Sequence, residues 1–141
     1  MGEPGSGFAF LDHTADIGIR AWGPSLPDAF AQAGLGLASL MGRAADPPGR
    51  PRTVRVEAAD PAGLLVAFLD ELIYLCEALD REGIASIDVT AFTGDALDAV
   101  VELAPVAPAG EGLAVKAATY HDLEVTERPD GLVGVRAYLD V

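Results

Sequence analysis

The sequence predicts a single two-layer α+β domain, in which two main helices pack on a largely antiparallel β-sheet. Apolar residues with helical spacing occur in two segments of the first 80 residues, whereas the later part alternates apolar and polar residues as strands do. The chain has 141 residues, which is the length of one domain. We therefore expect a flexible Gly-rich leader at residues 1–7 and one domain at residues 8–141.

Two short strands open the domain. Phe8–Leu11 and Ile17–Trp22 are mainly apolar segments on either side of a polar corner, Asp12–Asp16. Gly23 and Pro24 then interrupt the second segment, as turn residues do. We expect two strands joined by the polar corner.

The first helix is predicted from Ser25 to Met41. Ser25 is a preferred N-cap residue, and Pro27 follows in the first turn, where its missing N–H is tolerated. Gly34 and Gly36 lower helix propensity by about 1 kcal/mol each relative to Ala at exposed positions. Because they lack a Cβ, they also let another element approach the helix closely.

The second helix has the clearest start signal. Residues 42–51 are rich in Pro and Gly and predict a loop, and Thr53–Ala58 alternates as a half-buried strand does. Asp60 then predicts an N-cap and Pro61 the first helical position. The apolar residues that follow cover more than one stripe, which indicates a helix at the centre of the core.

The remaining elements are predicted to be strands. Alternating residues lie on both sides of a turn at Gly94-Asp95, and Pro129–Gly131 predicts a hairpin turn near the end of the chain. The predicted strands in the last part of the chain are Val115–Tyr120, Leu123–Glu127 and Leu132–Val141.

The charge balance argues against direct binding of nucleic acid. The chain has 22 acidic and 9 basic residues and a formal net charge of −13. A protein that grips a phosphate backbone needs a basic surface, and this composition does not supply one. A cation or a basic protein partner would instead be attracted.

Other features predict a cytoplasmic protein that does not enter a membrane. The longest apolar stretch, Gly63–Leu69, is far shorter than the ~20 residues of a spanning helix. The N-terminus lacks the pattern of a signal peptide. The single cysteine, Cys76, excludes a disulfide within the chain, and its apolar helical context predicts a buried structural residue.

The sequence contains six candidate metal ligands, which lie in three polar corners of the predicted sheet. Both histidines adjoin a carboxylate, and two further aspartates lie near strand ends: Asp12, His13, Asp16, His121, Asp122 and Asp140. Asp12 has the same strand parity as Phe8 and Phe10, so a continued strand would turn it to the apolar side. A buried carboxylate needs a cation or several donors, so a metal ligand and an aspartate that caps a turn both remain open.

The C-terminal strand predicts a second concentration of oxygen donors. Alternation from Arg136 to Val141 places Asp140 beside the α-carboxylate and the last peptide carbonyl. Such hard donors suit Ca²⁺, Mg²⁺ or Mn²⁺. If Asp12 lies opposite Asp140, a divalent cation would relieve their repulsion, or one of them would hold its proton. An ordinary solvated terminus is the alternative.

The segment Phe8–Ile19, with its run Leu-Asp-His-Thr-Ala-Asp, resembles the opening of the archease family. The resemblance continues in the second predicted helix and in Lys116–Val125, and it ends with Asp140-Val141. The matching segments are collinear and span nearly the whole chain after the leader.

The resemblance implies a non-enzymatic role beside an RNA ligase. Archeases are accessory proteins of RtcB-type ligases, which join 2′,3′-cyclic-phosphate or 3′-phosphate RNA ends to 5′-hydroxyl ends with GTP and Mn²⁺. The chain is then expected to promote guanylylation and multiple turnover of the ligase in tRNA splicing or RNA repair. The implied metal ligands are Asp12, Asp140 and the backbone of Val141.

Five further residues match family motif positions, and the resemblance implies that they support the site or contact the partner: His13, Asp16, Lys116, Tyr120 and His121. Two other functions remain open. One is a small metal-dependent phosphoesterase using Asp12, Asp140 and a histidine, and the other is a chaperone-like interaction module.

Overall fold

A computed structural model describes residues 5–12, 16–42, 49–78, 82–106, 112 and 114–141, without the side chain of Asp12. Its elements follow in the order β1 (Gly7–Asp12), β2 (Asp16–Gly23), α1 (Leu26–Met41), β3 (Arg50–Glu57), α2 (Pro61–Ala78), β4 (Glu82–Phe92), β5 (Ala96–Pro105), β6 (Ala117–Glu127) and β7 (Val133–Asp140). The predicted α+β class is confirmed.

The strands form two antiparallel sheets, whereas the sequence suggested one. The four-stranded sheet has the order β1-β2-β7-β6, and the three-stranded sheet has the order β3-β5-β4. Each helix contacts strands of both sheets. Alternation along a strand reports which face is buried but not which strand lies beside it, so the division into two sheets is not visible in the sequence.

Both helices begin at the predicted caps. The Ser25 side chain accepts from the Asp28 backbone N–H at 3.4 Å and donates to the Asp28 carboxylate at 2.7 Å. Asp60 Oδ1 accepts from the Gly63 backbone N–H at 2.7 Å. These bonds satisfy N–H groups that the first turn of a helix leaves without a partner.

The two glycines of α1 confirm the predicted close approach. A Cβ at Gly34 would lie 2.5 Å from Ile87 Cδ1 of β4 and 2.9 Å from Leu72 Cδ1 of α2. A Cβ at Gly36 would lie 3.0 Å from Phe8 Cδ1 of β1. The glycines therefore bring α1 against both sheets and the second helix.

The core is centred on the two helices. Phe30 of α1 is fully buried, and its ring centroid lies 6.3 Å from that of Phe68 and 5.2 Å from that of Phe92. The three rings join α1, α2 and β4. The leucines of α2 that complete the core are fully buried, as expected for a helix that is apolar on several sides: Leu64, Leu65, Leu69 and Leu72. Cys76 packs against this core in a half-buried position.

The last three predicted strands become two. The predicted turn at Pro129–Gly131 is confirmed, with Gly131 at a φ of 85°. Residues 117–127 form one strand, β6, whose register with β7 shifts between Thr119 and Glu124. In the sequence, the residues at this shift look like a break between two strands. In the structure, β7 pairs with the segments on both sides of the shift.

No helix among the described residues is long and apolar enough to cross a membrane.

The aromatic cluster gives the first prediction. Phe30→Ala should lower the free energy of unfolding by about 3–5 kcal/mol, because it removes a buried ring and leaves a cavity. Urea unfolding followed by circular dichroism measures this change. Tyr74→Ala is the control, since Tyr74 is 62% exposed on α2. Equal losses in the two variants would contradict the central position of Phe30.

Candidate functional site

The ends of three strands bring several of the predicted site residues together. Asp16, at the start of β2, lies directly opposite Asp140 at the end of β7. On its other side, Asp140 pairs with Ala117 of β6, and its backbone carbonyl accepts from the Lys116 N–H at 2.8 Å. Val141 follows at 38% exposure. Asp16, Lys116, Asp140 and Val141 thus share one end of the four-stranded sheet, which we call the acidic end.

The residue opposite Asp140 is Asp16 and not Asp12. β2 lies between β1 and β7, so Asp12 pairs with Ile17, and Ile17 pairs in turn with Leu139. The backbone of Asp12 therefore reaches the same end of the sheet, one row away from Asp16 and Asp140. The side chain of Asp12 and the whole of His13 lie outside the described residues.

Two opposed carboxylates favour a cation. Directly opposed side chains in an antiparallel pair have Cβ atoms about 4.5–5.5 Å apart, and like charges at that distance are destabilising. Asp140 is exposed and Asp16 is half-buried, so water still reaches the pair. Carboxylate oxygens are the donors preferred by Ca²⁺, Mg²⁺ and Mn²⁺. The donor set at the acidic end therefore fits a hard divalent ion.

The described part of the chain does not supply a complete ligand shell. Among the residues that the structure describes, no three His, Cys, Asp or Glu side chains are grouped so that they could hold a metal. Asp16 and Asp140 are two carboxylates, and six to eight oxygen ligands are usual for Ca²⁺. Further oxygens would have to come from backbone, water or residues that the structure does not describe.

A bulge in β6 presents the other predicted residues at the edge of the sheet. Between the pairs Thr119–Tyr138 and Glu124–Arg136, four residues of β6 lie opposite one residue of β7. The four are Tyr120, His121, Asp122 and Leu123. The Tyr120 side chain is the most exposed large hydrophobic among the described residues, at 71%. The bulge interrupts the pairing edge and turns an aromatic side chain towards solvent.

Several contacts hold the bulge in one conformation. Asp122 has a φ of 50°, the only positive φ of a non-glycine residue in the described ranges. Its carbonyl accepts from Arg136 Nε at 3.1 Å, and its carboxylate lies 3.3 Å from His121 Nε2. The His121 N–H donates to Thr119 Oγ1 at 3.2 Å. Side chains of β6 and β7 thus stabilise a backbone conformation that is unfavourable by itself.

Tyr138 connects the bulge to the acidic end, although no motif in the sequence marks it as a site residue. Tyr138 precedes Asp140 by two residues and shares its face of the sheet. Its ring lies over Gly18, where a Cβ would be 2.7 Å from Tyr138 Cε1. The His121 ring centroid is 6.0 Å from that of Tyr138. The signal in the sequence is a glycine between Ile17 and Ile19, which indicates a close approach within a strand.

Cys76 does not add a nucleophile. Burial, and then the negative charge of Glu77, raise the pKa of its thiol to about 11. Because the thiolate is the reactive form, the side chain is inert at neutral pH. The expected structural role of Cys76 agrees with this environment.

Comparison with known proteins gives one family. The sequence profile of the Archease protein family matches residues 8–141. The protein archease of Thermococcus gammatolerans is 36% identical over 131 residues, which cover 85% of this chain and 88% of that protein. An archease-like protein of Dictyostelium discoideum is 31% identical over 131 residues, covering 87% of this chain and 86% of its own.

Solved structures agree in fold. A Methanobacterium thermoautotrophicum protein solved in solution has a TM-score of 0.65 and 29% identity, and the match covers 96% of this chain and 99% of that one. A Thermotoga maritima archease, named as a possible chaperone, has a TM-score of 0.64 and 17% identity, covering 100% of this chain and 98% of its own. At that identity the second match supports the fold alone.

Gly18 gives the second prediction. Gly18→Ala should lower the free energy of unfolding by about 1–3 kcal/mol, because the added methyl forces the Tyr138 ring from its place. The amide signals of Tyr138 and Asp140 should also shift in NMR spectra. Gly5→Ala is the control, since a Cβ there meets no atom within 4 Å. A Gly18 variant as stable as the control would show that the ring is not held by this contact.

Proposed function

The chain belongs to the archease family, and on that premise we propose that it is a cytoplasmic, non-enzymatic activator of an RtcB-type RNA ligase. It promotes GTP-dependent guanylylation and multiple turnover of the ligase in tRNA splicing and RNA repair. The observation that carries this proposal is the acidic end, where Asp16 and Asp140 are directly opposed in a chain of net charge −13.

In this proposal, a divalent ion binds at the acidic end. The side chains of Asp12 and Asp140 and the backbone of Val141 hold it, and Asp16 supplies a further negative charge beside them. The ion is Ca²⁺, Mg²⁺ or Mn²⁺ by the chemistry of oxygen ligands. Bound there, it offsets most of the negative charge of these carboxylates and relieves the repulsion between them.

The acidic end and the bulge together form the surface proposed for the ligase. A protein that handles RNA carries basic surface, and a chain of net charge −13 is steered towards such a surface electrostatically. Tyrosine is enriched among the residues that dominate binding energy, and Tyr120 is exposed next to that end. In the proposal, Lys116, Tyr120 and His121 contact the ligase, and His13 and Asp16 support the metal.

A general chaperone is less well supported by the surface. Chaperones that hold unfolded clients need contiguous apolar surface, and large apolar patches mark such sites. The described residues include four exposed large hydrophobics, which lie on β1, α2 and β6 and just after β7: Phe10, Tyr74, Tyr120 and Val141. This distribution favours one specific partner.

Metal binding is the third prediction. Asp140→Asn should weaken binding of Mn²⁺ or Ca²⁺ by about tenfold or more, because ligand charge sets the affinity of such sites. Isothermal titration calorimetry on the full chain measures this affinity. Asp88→Asn is the matched control, an exposed aspartate on β4 of the other sheet. If the two variants bind the ions equally well, the metal does not depend on the acidic end.

Ligase activation is the fourth prediction. Substoichiometric protein should accelerate GTP-dependent guanylylation of the cognate ligase at fixed Mn²⁺, and Asp140→Ala should reduce that acceleration by about tenfold or more. Asp88→Ala should retain it. A wild-type chain without effect on the ligase would refute the activator role.

The same protein preparations test the alternative that the chain is a metal-dependent phosphoesterase. The protein alone, with Mn²⁺, should not hydrolyse a small phosphoester such as p-nitrophenyl phosphate. Turnover that Asp140→Ala abolishes would instead identify a metal-dependent phosphoesterase.

A further inference from the structure

The outer face of the four-stranded sheet carries a basic groove in this acidic chain. Three of the nine basic residues, Arg20, Arg128 and Arg136, line one cavity of about 290 Å³. Arg20 of β2 lies directly opposite Arg136 of β7, and Arg128 lies just after β6. We call this cavity the arginine groove. It lies four residues along β2 from Asp16, or about 13 Å from the acidic end.

Two of the arginines that line the groove lie close to the ring of the only tryptophan of the chain. The guanidinium carbon of Arg20 lies 4.6 Å from the centroid of the Trp22 ring, and that of Arg128 lies 5.7 Å from it. Trp22 itself is only 5% exposed. A cation close to an aromatic face is stabilised by the ring, so Trp22 helps to hold two guanidinium groups beside the cavity.

Contacts with β6 and β7 position Arg128 and Arg136 in the groove. Gly134 pairs with Trp22, and a Cβ there would lie 3.4 Å from Arg128 Cδ. The stem of Arg128 therefore lies over Gly134 at ordinary van der Waals distance. Arg136 donates from Nε to the Asp122 carbonyl at 3.1 Å and from Nη2 to Glu124 Oε2 at 2.8 Å.

The charges in the groove indicate what it would bind. Glu124, which also lines the cavity, faces Arg136, and Asp130 lies 2.8 Å from Arg128 Nη2. A ligand with a single carboxylate would make the same contact with Arg136 that the Glu124 carboxylate already makes. A phosphate group carries up to two negative charges and several acceptor oxygens, so it can bind more than one guanidinium at once.

We propose that the arginine groove, formed by Arg20, Arg128 and Arg136 around Trp22, binds the phosphate group of a small ligand, either inorganic phosphate or the phosphates of a nucleotide. The volume of about 290 Å³ is at the lower end for small-molecule pockets. Because Trp22 is nearly covered, its ring offers no surface on which a base can stack. The groove therefore recognises phosphate rather than the base, and it does so independently of the ligase role.

The fluorescence of Trp22 reports changes at Arg20 and Arg128, which lie close to its ring, and no other tryptophan contributes. Inorganic phosphate should produce a saturable change in emission at pH 7, whereas potassium chloride at equal ionic strength should not. A change that follows ionic strength alone, or no saturable change, would overturn the proposal.

Three variants locate the binding. Arg136→Gln should weaken phosphate binding about tenfold, the loss expected for one charge-assisted hydrogen bond. Glu124→Gln should tighten it about threefold, because it removes the carboxylate that competes for Arg136. Arg52→Gln, the same charge change at an exposed site on β3, should leave it unchanged.

The gain expected for Glu124→Gln cannot arise from a damaged fold. Equal effects of Arg136→Gln and Arg52→Gln, or weaker binding by the Glu124 variant, would overturn the assignment.

Calorimetry with GDP, ADP and adenosine distinguishes the two sources of phosphate. Adenosine should not bind. If both nucleotides bind more tightly than inorganic phosphate, the ligand is a nucleotide held by its phosphates. Equal or weaker binding of the nucleotides identifies inorganic phosphate. Binding of adenosine, or of one nucleotide only, would contradict recognition through phosphate.

Discussion

The pairing of the last strand with the first hairpin is the constraint on which the rest of the structure depends. β7 inserts between β2 and β6 and forms antiparallel pairs on both sides. This pairing brings Asp140 opposite Asp16, Tyr138 over Gly18, and Arg136 between Arg20 and Glu124. The contacts between β7 and β2 join residues from opposite ends of the chain. The acidic end, the bulge and the arginine groove therefore all require β7 to be in register.

Alternate residues of β7 point to opposite faces of the sheet, so apolar core residues and polar site residues occupy different faces. Val135, Ala137 and Leu139 face the helices and are buried in the core. The residues between them lie on the outer face, so they can carry polar side chains without disturbing that core. A slip of one residue would exchange the two sets, turning Asp140 towards the core and Leu139 towards solvent. Burial of the apolar row thus fixes the register that positions Asp140.

Local features were predictable from the sequence, and long-range pairing was not. Ser25 and Asp60 cap helices by bonds within three residues, and the turn at Gly131 needs only a residue that tolerates positive φ. Asp12 and Asp140 share a polar end, but parity could not show that β2 separates β1 from β7. Parity therefore does not identify Asp16 as the carboxylate opposite Asp140. The bulge is not visible in the sequence for the same reason, because only the pairing with β7 shows that β6 is continuous.

Arg136 joins the bulge to the groove. Its Nε holds the Asp122 carbonyl, and Asp122 has the positive φ that costs a non-glycine residue about 1 kcal/mol or more. Its Nη2 binds Glu124, which lines the groove and ends the register shift. One guanidinium therefore stabilises the conformation that exposes Tyr120 and also supplies charge to the groove. A ligand that drew Arg136 away from the Asp122 carbonyl would remove a bond that holds the bulge, so the two surfaces are mechanically linked through β7.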